Sequence, residues 1–161
     1  MRRTAEQGQR MIGRAKELFA QIAERHGLHL EWDTQSPVEA AATLPKQRGL
    51  DFRLWLNLQN VDEIGVQTEL FTASWFPFDD PKTETLFLTA VDGLISGDVR
   101  MLCFYGPIFV RPHKVILQRR VGDRWEQIYK YGRLYLLTWP VKEKIVINGG
   151  LALPCRNRLD R

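Results

Sequence analysis

Histidine and cysteine are scarce in this chain, three and two among 161 residues. That scarcity leaves little material for metal-binding or cysteine-based frameworks. Cys103 lies in an apolar run and Cys155 in a polar tail, so the simplest reading is two free thiols in a reducing cytoplasm. No apolar run approaches the ~20 residues a membrane-spanning helix needs. Met1-Arg2-Arg3 leads into polar residues, not an apolar signal core, so no targeting segment is read and a cytoplasmic location is expected. Gly149-Gly150 is too short for a phosphate-cradling loop and precedes no helix, while Ser74 and Ser96 lie in no nucleophile-elbow pattern. Internal repeats, low-complexity segments and zinc-finger, helix-turn-helix or RNP-like signatures are likewise missing.

What the chain does have is 44% apolar and 26% charged residues, which places it among globular proteins and not disordered ones. One α+β domain over residues 1–154 is expected, with residues 155–161 a disordered basic tail. Charge is split along the chain. Residues 1–98 hold 10 Lys/Arg against 15 Asp/Glu, and residues 99–161 hold 13 against 4. The basic second half either meets an acidic partner or is neutralised by the acidic first half within the fold.

Thr4-Ala5-Glu6-Gln7 matches a capping box. Met11, Ala15, Leu18, Phe19, Ile22 and Ala23 then recur at helical spacing, which predicts an amphipathic helix over residues 5–26, closed by Gly27. Residues 28–33 alternate as a short strand. Ser36-Pro37-Val38-Glu39 is a second capping box and predicts a short helix through about Leu44, stopped by Pro45. Leu54, Leu56 and Leu58 mark a half-buried strand, residues 61–65 a turn, and residues 66–76 its antiparallel partner. Asp80-Pro81 opens a second long helix that Gly97 closes. Beyond Val99 the pattern is nearly all strand. Residues 101–105 look apolar on both faces, and further strands are expected at 134–139, 144–147 and 151–153.

The predicted fold is α+β: a mostly antiparallel, twisted or curved sheet of about six or seven strands, with the N-terminal helix and the helix at about 81–96 packed on one face. The element order after residue 36 also resembles the cone-shaped NTF2-like folds. That resemblance, carried by element order alone, implies a pocket between helices and a curved sheet. A small apolar ligand, bound by a pocket protein or acted on by an enzyme, would there meet Trp55, Phe104, Tyr129 or Trp139.

Residues 113–131 (HKVILQRRVGDRWEQIYKY) read as two long strands joined at Gly122-Asp123, a type II′ turn. That turn sets a register in which Arg120 meets Trp125, Gln118 meets Gln127, Ile116 meets Tyr129 and Lys114 meets Tyr131. The opposite face takes Val115, Leu117, Val121 and Ile128. The first face sets cations beside aromatic rings, each pair worth about 0.5–1 kcal/mol. Arg53 and Trp55 on an earlier strand extend it. Lys114, Arg120, Trp125, Tyr129, Tyr131, Arg53 and Trp55 are therefore the expected partner-binding residues. The partner is an acidic protein surface or, as a second class, nucleic acid, with no membrane involved. The competing reading buries Trp125, Tyr129 and Ile116 as a second core, with Arg and Lys stems at its rim.

His26, His29, Glu31 and Asp33 form the one cluster of metal-binding residue types. A solvent-facing strand and a helix C-terminus produce the same residues. No metal, cofactor or catalytic residue is expected, and the chain reads as a binding protein with no chemistry of its own.

Overall fold

The computed structural model describes residues 5–106, 110–132 and 142–149. Helix α1 spans Ala5–His26 and buries the predicted stripe of Met11, Ala15, Leu18, Phe19, Ile22 and Ala23. Its end is sealed by Gly27 at φ +62°, with Leu28 N donating to Ala23 O at 2.8 Å. A five-stranded antiparallel sheet follows: β1 (Glu31–Trp32), β2 (Ala40–Leu44), β3 (Leu54–Gln59), β4 (Glu63–Gln67) and β5 (Thr72–Trp75), paired in chain order. Helix α2 (Pro81–Ser96) has Asp80 as its N-cap, accepting from Lys82 N at 2.9 Å, and left-handed Gly97 after its last turn. A four-stranded antiparallel sheet completes the chain: β6 (Val99–Tyr105), β7 (Lys114–Val121), β8 (Arg124–Gly132) and β9 (Lys142–Val146), ordered β8-β7-β6-β9.

The α+β class and the antiparallel pairing agree with the sequence pattern. The turn expected at residues 61–65 comes earlier, with Asn60 and Val61 at positive φ and β4 already begun at Glu63. The strand inventory differs in three further places. First, residues 40–44 form β2 and not a helix. Ala40, Ala42 and Leu44 face the core, while Ala41 and Thr43 face away. A helix of so few residues is marginal on its own, whereas here the backbone pairs with β1 and β3 at once. The alanines also leave room for α1, which packs on this strand. Second, residues 66–76 are not one strand. Thr68 Oγ1 accepts from Leu70 N and Phe71 N, and Thr68 N donates to Phe71 O, folding the segment into the β4–β5 turn. Third, the regular strand near residues 28–33 shortens to Glu31–Trp32, with Trp32 45% exposed. Two sheets of five and four strands therefore replace the single sheet. Thr4, Trp139, the strands expected at 134–139 and 151–153, and the tail at 155–161 lie outside the described residues.

One cluster of buried side chains runs through both helices and both sheets. α1 lies on β2 and β3, and α2 lies against β4 and β5 of the first sheet and β6 and β7 of the second. The helices run side by side in the same direction, because their contacts advance in step. Arg14 pairs with Glu84 at 2.5 Å, Phe19 stacks near Phe87 at 6.2 Å, and Arg25 and His26 both reach Asp92. These ion pairs join helix to helix within the acidic half of the chain. Cys103, a free thiol, is fully buried on β6, and burial pushes its pKa up to about 12, against a smaller downward pull from Lys144. It is core filling and not a nucleophile.

Asn148 fastens the end of the chain's second sheet to the first half. Its Nδ2 donates to Gly49 O at 2.7 Å and to Ile95 O at the end of α2, while Oδ1 accepts from Asp51 N at 2.8 Å. Asp51 Oδ2 in turn accepts from Gly149 N at 2.8 Å. Both ends of the amide are used, so Asn148→Ala removes three hydrogen bonds and uncaps α2. We expect a loss of about 2 kcal/mol in urea unfolding; an unchanged midpoint would show these bonds to be solvent-replaceable.

Candidate functional site

Strand alternation sorts the second sheet into two faces. On β6, Val99, Met101 and Cys103 are buried toward α2, while Arg100, Leu102 and Phe104 are half-buried on the other side. On β7, Val115 and Leu117 point inward, and Lys114, Ile116, Gln118 and Arg120 point outward. Outward pairs follow from the register: Ile145 beside Leu102 and Leu102 beside Ile116, with Glu143 beside Phe104 and Phe104 beside Lys114.

The hairpin turn forms as its sequence predicts. Gly122 takes φ +58° and Asp123 does not take a positive φ, the pattern of a type II′ turn. The pairs Val121–Arg124, Arg120–Trp125, Arg119–Glu126 and Gln118–Gln127 all hold. Beyond them a β-bulge intervenes. Ile128 opposes no residue, and the next pairs are Leu117–Tyr129, Ile116–Lys130 and Val115–Tyr131.

The bulge overturns half of the expected face. Tyr129 and Tyr131 do not stand beside Ile116 and Lys114; they share the face of Leu117 and Val115. Tyr129 packs on the core, its ring 5.3 Å from Trp75, and its hydroxyl accepts from Ser74 N at 3.3 Å. Ile128 packs on the same core. Tyr131 is 41% exposed at the far end, next to Gly132. There φ is +111° and a β-carbon would lie 2.2 Å from His113 O, so only glycine fits.

The cation–ring partners also differ. Arg120 is Trp125's cross-strand neighbour, but the guanidinium over the Trp125 ring is that of Arg100, at 4.2 Å. Arg100 Nε also donates to Gln118 Oε1 at 2.9 Å, and burial lowers its pKa without discharging it at neutral pH. Lys114 lies over Phe104 at 4.6 Å and not beside Tyr131. Trp55 belongs to β3 of the five-stranded sheet, flanked by Thr43 and Gln67, and Arg53 immediately precedes that strand. They share no strand pairing with the hairpin. The candidate surface is thus Arg100, Phe104, Lys114, Gln118, Arg120 and Trp125 around an aliphatic row of Ile145, Leu102 and Ile116. Arg100 and Phe104 were the missed members. The alternation of Arg100 with Val99 and Met101 was the available signal, hidden because the following residues looked apolar on both faces.

The remaining candidates do not converge. His26 Nε2 lies 2.9 Å from Asp92 Oδ1, His29 lies 3.8 Å from Glu31 with both exposed, and Asp33 Oδ1 accepts from Gln35 N. An open cleft of about 470 Å³ lies between Lys16 of α1 and residues 32–41, lined by Trp32, Asp33, Ser36 and Glu39. Trp55, Phe104 and Tyr129, the expected pocket residues, face three different surfaces: the outer face of each sheet and the core. Among the described residues no helix is long and apolar enough to cross a membrane. Comparisons with protein-family models, with curated proteins and with solved structures found no match.

The geometry separates two arginines that composition treats alike. A double-mutant cycle on Arg100→Ala and Trp125→Ala should give a coupling of about 0.5–1 kcal/mol in unfolding free energy. The same cycle on Arg120 and Trp125, a cross-strand pair without the ring contact, should give clearly less. Equal coupling for both would mean that the rings follow the hairpin pairing and not the contact with β6.

Proposed function

We propose that the protein acts by binding, with the outer face of the four-stranded sheet as its contact surface for an acidic protein partner. The observation that carries this reading is the pair of cation–ring contacts, Arg100 over Trp125 and Lys114 over Phe104, on either side of an apolar row. Arginine and tryptophan are among the residue types that dominate interface energetics. Cations held over rings are already oriented, so little side-chain freedom remains to be lost when a carboxylate arrives.

Charge distribution supports the same reading. The helix–helix ion pairs engage Glu84 and Asp92 with Arg14, Arg25 and His26. They occupy acids of the first half without reaching the second half's cations. A carboxylate-bearing partner complements the cations of that surface, and long-range attraction speeds its approach. The aliphatic row Ile145–Leu102–Ile116 favours protein over nucleic acid, since single-strand binders rely on free ring faces for base stacking.

Fluorescence anisotropy with labelled acidic, neutral and basic peptide pools, and with a single-stranded oligonucleotide, tests the reading. The acidic pool should bind best, and Arg100→Glu and Lys114→Glu should each weaken it about tenfold, some 1.4 kcal/mol. Each reversal should lower the thermal midpoint by no more than a few degrees, the cost of its lost cation–ring contact, and binding should weaken as salt rises. Acidic-pool binding that survives both charge reversals would rule this face out. Tighter binding of the oligonucleotide would assign the face to nucleic acid.

A further inference from the structure

The layout of the face constrains the shape of what it binds. Ile145, Leu102 and Ile116 stand directly opposite one another on β9, β6 and β7, so the apolar row crosses the strands at right angles. Arg100 is two residues along β6 on one side of that row. Lys114 is two residues along β7 on the other side. At ~3.4 Å per residue the two cation rows stand about 14 Å apart, with the apolar row midway. Glu143 shares the Lys114 row, on the far side of Phe104, and Lys130 ends the apolar row beside Ile116.

We infer, resting on the binding face proposed above, that the partner presents a short amphipathic α-helix laid across these strands, with acidic residues on both flanks of its apolar stripe. A helix about 10–12 Å in diameter fills the space between the cation rows. Its apolar stripe lies on Leu102 and Ile116, and its two flanks reach Arg100 and Lys114. An extended peptide offers one row of side chains toward the sheet, because alternate residues point away. It matches the apolar row or a cation row, but not the apolar row with cations on both sides. A second copy of this chain would bring the same cations against one another, which like-charge repulsion disfavours. Sheets commonly carry helices on both faces, and α2 already covers the inner face here.

Two peptides of identical Leu, Glu and Ala composition test the inference with the full-length chain. One sets leucines at i, i+3, i+4 and i+7 with glutamates on both flanks and is held helical by side-chain lactams. The other alternates leucine and glutamate, as a strand would. The helical peptide should bind at least about tenfold tighter in anisotropy titrations. Arg100→Glu and Lys114→Glu, each shown to fold by its circular dichroism and melting curve, should each cost it a comparable factor. Equal or tighter binding of the alternating peptide, still sensitive to both reversals, would overturn the helical inference and leave the acidic binding face standing. Binding of both peptides that ignores both reversals would overturn the face itself, and the inference with it.

Discussion

The extra residue at Ile128 governs what the second sheet can do. A strand without it would carry Tyr129 to the outer face and Ile128 to the inner one along the whole hairpin. With it, Ile128 and Tyr129 both pack on the core, and the Tyr129 hydroxyl and ring meet Ser74 and Trp75 at the edge of the first sheet. The bulge thus joins the two sheets at one end of the hairpin. At the other end it leaves Trp125 and Gln127 facing out with Arg120 and Gln118. Bulges re-aim side chains in this way wherever a strand must serve two surfaces.

Packing and charge then reinforce each other. The two helices lie side by side and spend acidic side chains on one another through Arg14–Glu84 and Arg25–Asp92. α2 spans strands of both sheets, and Asn148 ties its last turn to the loop at Gly49 and Asp51. With α2 lying on the inner face of the second sheet, Arg100 and Lys114 stand on its outer face. They do so over aromatic rings, which hold them in place without neutralising them.

Local signals were legible in the sequence wherever the deciding physics was local. The α1 stripe, the Asp80-Pro81 start and Gly97 end of α2, and the Gly122 turn all depend on a few adjacent residues. The capping-box match at Ser36–Glu39 misled, because a cap is worth only about 1 kcal/mol and pairing of residues 40–44 on two edges outweighs it. Thr68 gave no strong breaker signal, yet its hydroxyl folds the β4–β5 turn. The bulge at Ile128 was invisible for a different reason. A turn fixes the register of its nearest pairs, but the docking of Tyr129 is set by its contact with Ser74, 55 residues away in sequence. Arg100 was lost the same way, since its ring partner lies on a strand that is not its neighbour.

The most direct test of this account is to map contact residue by residue. In an isotope-labelled NMR titration of the full chain with the acidic helical peptide, the amides that shift should be those of Arg100, Leu102, Phe104, Lys114, Ile116 and the Trp125 indole. Signals of Tyr129 and Trp75, held on the core, should stay in place. Shifts centred instead on Lys16, Trp32 and Glu39, around the cleft beside α1, would contradict the central claim and move the binding site to the other sheet.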